Sequence, residues 1–346
     1  MNKTRKRHLW WQLPLLLVLI AGTAYVIGQN YYAPYKTCQG NIFGTTYHIT
    51  YQHSTDLQPL IEAELMRVDS ALSMFNSQSV LSLINRNDPK GIPNDMFVEV
   101  FRLAQQVSEA TDGAFDITVA PLVNLWGFGF KNGQMPSQER VDSILKFVGY
   151  KKVRLDNHNR IAKDDPRLML DCSAIAKGYG VDRVARLLES RSIDNFTVEI
   201  GGEVVTRGLS PRHEPWRVGI TKPVENDSTE VAGNQTVMTL TNKAMATSGN
   251  YRRFYYKNGR RYAHTINPKS GQPVDHSLLS ATVMAKNCAT ADAYATAFMV
   301  MGTDKAKAYL ASHPELSAYL IYTDKKGQYA TWHSPQLSAV FQSSKE

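Results

Sequence analysis

Asp171-Cys172-Ser173-Ala174-Ile175-Ala176-Lys177-Gly178-Tyr179-Gly180-Val181-Asp182 is the stretch on which the reading of this chain turns. An apolar, strand-like run over residues 167–170 leads to the carboxylate of Asp171, passes through small residues and enters a helix. That helix is expected over residues 179–190, burying Val181, Val184, Leu187 and Leu188. Such a passage suits an anion. Small side chains let the backbone come close, a helix N-terminus offers unpaired N–H groups, and Lys177 supplies positive charge. The same residues also describe an ordinary strand-to-helix connection with a solvated lysine, so the flanking chain has to decide.

Upstream, residues 41–51 read as a strand rich in Thr, Ile and Tyr, with Phe43-Gly44-Thr45 inside it. Residues 61–75 carry Ile61, Leu65, Val68 and Leu72 at helical spacing, and Ser77-Gln78-Ser79 caps a short helix through Asn85. A further helix over 96–111 presents Val100, Leu103, Ala104 and Val107 and stops at Asp112-Gly113. Residues 137–148 form a helix capped by Ser137, and 152–155 pairs as a strand with 167–170. Downstream, strands are expected at 196–200, ended by Gly201-Gly202-Glu203, and at 216–220, 235–241 and 243–247. Residues 225–234 are polar and read as a surface loop. Strands outnumber helices in this half and no regular βαβ repeat emerges. The expected fold class is therefore α+β, a single domain of mixed, largely antiparallel sheets with packed helices over residues 41–340.

The composition, 346 residues with 43% hydrophobic and 20% charged, is that of a globular chain. Four of its eight net positive charges come from Lys3, Arg5, Lys6 and Arg7, which leaves +4 for the remainder. No Lys/Arg stripe interleaved with aromatics appears, which argues against nucleic-acid binding. The basic cluster precedes a mostly apolar run over residues 9–28, long enough to span a bilayer at about 20 residues. Gln12 and Pro14 interrupt the run, so a cleavable signal also fits; the favoured expectation is an uncleaved anchor over 1–28 and a linker over 29–40. With the positive end held in the cytoplasm, the domain would lie across the membrane. Cys38, Cys172 and Cys288 have neither C-x-x-C nor metal-ligand spacing, and the last two read as buried small hydrophobes.

Four segments carry candidate chemistry. In Ala114-Phe115-Asp116-Ile117-Thr118, a carboxylate flanked by apolar residues either caps a turn or orients a ligand. Leu125-Trp126-Gly127-Phe128-Gly129-Phe130 supplies aromatics that serve equally as core or as a wall for a flat ring. In Ala291-Asp292-Ala293-Tyr294-Ala295-Thr296, Asp292 and Thr296 are four apart and share a helix face. Both can present oxygen to a hard cation such as Mg²⁺. His264, just before Asn267-Pro268, is either structural or an acid/base group.

Taken in order, these segments resemble the ApbE family of FAD:protein FMN transferases. The matching residues are Phe43-Gly44-Thr45, Ser73 to Ser79 with Asn85, Asp112-Gly113-Ala114-Phe115-Asp116, Leu125-Trp126-Gly127-Phe128, and Asp171 with Ala176-Lys177-Gly178-Tyr179. They continue through Ile200-Gly201-Gly202-Glu203, Ser248-Gly249-Asn250-Tyr251, His264 with Pro268 and Gly271, and Ala291-Asp292-Ala293 with Thr296. The resemblance implies an enzyme that cleaves FAD at its pyrophosphate and joins FMN by a phosphoester bond to a Thr or Ser of an acceptor protein, releasing AMP. It implies an inner-membrane protein with its catalytic domain on the periplasmic side. The acceptor would carry an Asp-Gly-x-Thr-like motif, as in subunits of sodium-pumping NADH:quinone reductases and Rnf complexes.

By the same resemblance Ala174, Asp292 and Thr296 would hold Mg²⁺. Phe43, Phe75, Ala114, Phe115, Asp116, Asp171, Lys177 and Ile266 would line the FAD site, and His264 or Asp292 would take the acceptor proton. The sequence departs from the family's usual pattern at Phe43, where Met is common, at Phe75, where Tyr is common, and at Asn267, where Asp is usual. Two other activities fit the same residues: an FAD pyrophosphatase giving FMN and AMP, and a flavin-binding protein without catalysis.

Overall fold

The computed structural model describes residues 13–23, 33–128, 135–221, 234–250, 254–257 and 260–342. Its frame is an antiparallel sheet of eight strands. These are β1 (Tyr35–Ile42), β2 (Thr45–Gln52), β5 (Phe196–Ile200), β6 (Glu203–Arg207), β9 (Ala244–Gly249), β12 (Leu278–Ala285), β13 (Ser317–Thr323) and β14 (Tyr329–His333), neighbours in that order. Three two-stranded ribbons complete the strands: β3 (Val153–Leu155) with β4 (Ile161–Lys163), β7 (Trp216–Thr221) with β8 (Asn234–Leu240), and β10 (Phe254–Lys257) with β11 (Arg260–Ala263). The expected α+β class with antiparallel sheets is what forms.

One face of the sheet is covered by helices α2 (Gln58–Leu72), α4 (Asp95–Ala110), α7 (Ala176–Glu189) and α8 (Cys288–Met301), with the main core between. The helical spacing noted in the sequence explains this. Ile61, Leu65, Val68 and Leu72 of α2 are buried, as are Val181, Val184 and Leu188 of α7. Each such side chain contributes about 1.5–3 kcal/mol when fully buried. α8 differs because its sequence, CATADAYATAFMVM, is small or apolar nearly all round, which suits a helix enclosed on all sides. It packs on β9, β12, α7 and α4 together. On the opposite face, Ile220, Met238 and Leu240 of the β7–β8 ribbon pack with Val204, Met245 and Met284 of the sheet. A satellite cluster joins Leu122 of α5 (Ala120–Leu125) and Val141 of α6 (Gln138–Leu145) to Trp126, Phe147 and Val148.

The structure differs from the sequence expectations at several points. Residues 41–51 are not one strand. Phe43 (φ 52°) and Gly44 (φ 72°) are both left-handed, the geometry of a two-residue hairpin turn, and the strand continues back to Tyr35 through residues read as linker. The partner of β3 is β4 rather than 167–170. That segment is instead held by Asn85, whose amide exchanges bonds with the Leu170 backbone at 2.7 and 2.8 Å. The anchor expected over 1–28 is described only as an exposed apolar helix, α1 (13–23). Among the described residues no helix is long and apolar enough to cross a membrane. The remainder of that segment, and most of the 225–234 loop, lie outside the described residues.

Candidate active site

Two hairpin tips lie side by side at one end of the sheet. Gly201 (φ 63°) and Gly202 (φ 103°) turn β5 into β6, and the Gly201 N–H donates to the Thr46 carbonyl at 3.0 Å, next to the Phe43-Gly44 turn. The Phe43 ring reaches α7, where a Cβ on Gly180 would stand 2.6 Å from it. The N-terminal turns of α7 and α8 meet at this end. Here the glycines of the 171–182 stretch have a use that the sequence did not reveal. A Cβ on Gly178 would be 2.4 Å from the Cys288 carbonyl oxygen, so Gly178 exists for helix-to-helix approach, and Gly180 makes room for Phe43.

The helices cap one another across this contact. Asp182 of α7 accepts the Cys288 and Ala289 N–H groups at 2.7 and 2.8 Å, and Asp292 of α8 accepts the Gly178 N–H at 3.1 Å. Both carboxylates thus meet unpaired amides and the positive end of a helix dipole. Burial pushes the Asp182 pKa up to about 6 against those two bonds. Burial also raises Asp292, opposed first by the charge of Lys177 and then by the Gly178 N–H.

Lys177, in the first turn of α7, reaches over to β6 and pairs with Glu203, which is buried. Burial alone would depress the ammonium, but Glu203 and Asp292 outweigh it and hold its pKa above the ordinary value. Burial raises the Glu203 carboxyl, and Asp292 adds to the rise against the pull of Lys177. One turn beyond Asp292, the Thr296 hydroxyl lies 3.1 Å from that of Ser248, at the end of β9.

The remaining predicted residues divide. Asp171 accepts the Ser173 N–H at 2.7 Å, and its own N–H donates to the Ile117 carbonyl at 2.6 Å, which ties the 171–182 stretch to the 114–118 segment. Phe75 is 78% exposed on the loop between α2 and α3 (Val80–Asn85), placed to present a flat apolar face. Phe115 points instead into the main core at 1% exposure, so its ring has no access to a ligand. Asp116 takes the turn-capping role. Its oxygens accept the Thr118 N–H and hydroxyl, both at 2.7 Å, and the Tyr150 N–H at 2.8 Å, while burial raises its pKa. Ile266 is buried in the satellite cluster.

His264 is half-buried, its ring edge-on to Phe128 at 6.5 Å between centroids. Next to it the Thr265 hydroxyl donates to Asn250 at 2.7 Å, and the Trp126 indole N–H donates to the Gly271 carbonyl at 2.7 Å. Lys269 pairs with Asp112, so the 264–273 loop is fastened to the 112–128 segment at two points. Gly129, Phe130 and Tyr251 lie outside the described residues.

Among the described residues no three His, Cys, Asp or Glu side chains gather as a metal cluster. The Asp292 corner offers oxygen, from its own carboxylate and, one turn on, from the Thr296 hydroxyl, and Ala174 lies in the turn immediately before α7. Here two buried carboxyl groups, Asp292 and Glu203, stand against the one ammonium of Lys177. That donor set fits a small hard cation that keeps water or phosphate oxygens in most of its positions, and it does not fit a soft metal. Glu203 and Ser248 are the functional neighbours that sequence reasoning left without a role. The turn Gly201-Gly202 before Glu203 was the available signal, because it forces the following side chain into a fixed place at the start of a strand.

Comparison with known proteins agrees with this arrangement. A family model described as the ApbE family matches residues 43–320. An FAD:protein FMN transferase of Haemophilus influenzae is 37% identical over 303 residues, covering 83% of this chain and 86% of the relative. The FAD:protein FMN transferase of Escherichia coli K12 is 34% identical over 321 residues, 89% of each. Among solved structures, the flavin transferase ApbE from Vibrio cholerae superposes with a TM-score of 0.78 at 33% identity, covering 89% of this chain and 99% of that one. The apo flavinyl transferase ApbE of Pseudomonas stutzeri gives 0.79 at 33% identity, covering 89% and 97%. With its fold, its motif order and its relatives in accord, the chain belongs to the ApbE family.

Proposed function

We propose that this chain is a Mg²⁺-dependent FAD:protein FMN transferase, tethered to the inner membrane by its N-terminal segment and working on the periplasmic side. The observation that carries the reading is that Lys177 and Asp292 come within electrostatic reach of one another where the N-terminal turns of α7 and α8 meet, with Thr296 one turn further along the same face of α8. Relatives named for this activity over most of their length support it.

Asp292, Thr296 and the Ala174 carbonyl would hold Mg²⁺, which when bound neutralises pyrophosphate charge as a Lewis acid. Lys177 supplies positive charge beside the same phosphates. Phe43 and Phe75 flank the flat rings, and Asp171 with the 114–116 backbone orients them. The hydroxyl oxygen of an acceptor Thr or Ser bonds to the FMN phosphorus as the bond from that phosphorus to the bridging oxygen breaks. AMP leaves with that oxygen, and the hydroxyl proton goes to His264 or to Asp292. The acceptor is a protein with an Asp-Gly-x-Thr-like segment, of the kind in sodium-pumping NADH:quinone reductase or Rnf subunits.

The test is incubation of the full-length chain with FAD, Mg²⁺ and such an acceptor. Covalent flavin fluorescence on the acceptor is expected, with AMP released in equal amount. Free FMN in its place would make the chain an FAD pyrophosphatase, and intact bound FAD would make it a flavin-binding protein.

A further inference from the structure

The Lys177 ammonium has two buried carboxylates within electrostatic reach and bonds only one. Glu203 Oε1 takes it, whereas Asp292 forms no ion pair with it and is held instead through Oδ2 by the Gly178 N–H. No described residue hydrogen-bonds Asp292 Oδ1. Glu203 is 1% exposed, and its second oxygen, Oε2, is buried with no hydrogen-bond partner among the described residues. A buried, half-satisfied carboxylate is costly, and a stable core would not keep one for packing. Its position is rigid, because Gly201 and Gly202 turn the chain immediately before it and Glu203 opens β6.

The consequence follows from competition. An ammonium and a divalent cation seek the same lone pairs on a buried carboxylate, and in a poorly solvated site the ammonium is a strong competitor. Were Glu203 neutral, Asp292 would be the remaining anion in reach, and Lys177 would turn to it.

We propose that Glu203 is a positioning residue that holds Lys177 away from Asp292 and so leaves Asp292 Oδ1 open to the divalent cation. This rests on the reading of Asp292 as a metal ligand given above. Glu203 touches neither flavin nor metal in this role; it acts through Lys177.

A double-mutant cycle on the full-length chain tests it, with Mg²⁺ alone as the probe, its affinity read by calorimetry and by the Mg²⁺-induced shift in melting temperature. Glu203→Gln should weaken Mg²⁺ binding about tenfold when Lys177 is present, a typical coupling for groups in contact. In a Lys177→Met background the same change should alter affinity less than about twofold, because no ammonium is left to stray. Equal losses in both backgrounds would mean that Glu203 acts by its charge alone and would overturn the proposal. Absence of Mg²⁺ binding by the unaltered chain would instead overturn the metal reading itself. Should Glu203→Gln not fold, Glu203→Asp keeps the charge and shortens the arm by one methylene. It should lose affinity several-fold, and an unchanged affinity would overturn the proposal.

Discussion

Asp182 and Asp292 each cap the helix to which the other belongs: Asp182 of α7 holds the first amides of α8, and Asp292 of α8 holds Gly178 of α7. Two helix N-termini, each a centre of positive potential, are thereby brought together and neutralised by carboxylates of the opposite partner. One of the two, Asp292, is also the proposed metal ligand, so the same contact that closes the core builds the site.

Asp292→Ala is expected to abolish Mg²⁺-dependent turnover, with a loss of at least about 100-fold, as follows when charge stabilisation at the reacting centre is removed. It should cost only about 1 kcal/mol of stability through the lost Gly178 cap. Turnover against Mg²⁺ concentration, beside a denaturant melt, separates these effects. Unchanged Mg²⁺-dependent turnover would refute the assignment.

The close approach of the helices makes Gly178 irreplaceable. Gly178→Ala places a methyl 2.4 Å from a backbone carbonyl and should destabilise the fold by about 1–3 kcal/mol or more. Gly202→Ala is the comparison. Nothing lies within 4 Å of its Cβ, but its φ of 103° carries backbone strain of about 1–3 kcal/mol. Loss of stability from crowding at the first site and from backbone strain at the second differ in remedy: truncation of neighbours cannot rescue Gly178, whose neighbour is main chain.

Asp182 predicts a pH dependence of stability. Its folded pKa is about 6, above the ordinary carboxylate value of 3.8, so the folded state binds the proton more readily than the unfolded. The resulting stabilisation is fully present below about pH 4 and is lost as pH rises through about 6. Its size is about 3 kcal/mol by linkage. In urea melts between pH 4 and 7, Asp182→Asn should flatten this part of the profile; an identical slope in both proteins would contradict the assignment.

The two phenylalanines expected at the flavin should separate cleanly. Phe75→Ala, on a side chain 78% exposed, should leave the melting temperature nearly unchanged and raise the KM for FAD by about two- to tenfold, the worth of one aromatic contact. Phe115→Ala should cost about 3–5 kcal/mol of stability as a core cavity, with FAD binding altered only through the fold.

What the sequence made legible was what short-range periodicity encodes. The apolar faces of α2 and α7 follow helical spacing, and Asp292 and Thr296 share a face because four residues make about one turn. The fate of Gly178 was not legible, since its reason is a carbonyl far downstream in the chain. Nor was the partner of Lys177, because Glu203 comes near only after β5 and β6 have folded back under α7. Asp116 was left between a turn cap and a ligand contact. Thr118 was in view two residues on, but Tyr150, which takes its second oxygen, was not. Phe43-Gly44 reads as part of one strand until the left-handed torsions show two strands joined by a turn.

The bonds that tie α7 to α8 join residues 106, 107 and 114 positions apart. A chain halted before α8 therefore lacks both Asp292 and Thr296, and the Gly178 N–H in the first turn of its α7 loses the carboxylate that holds it. On the proposed reading, the cation site exists only once the chain has been made through Thr296.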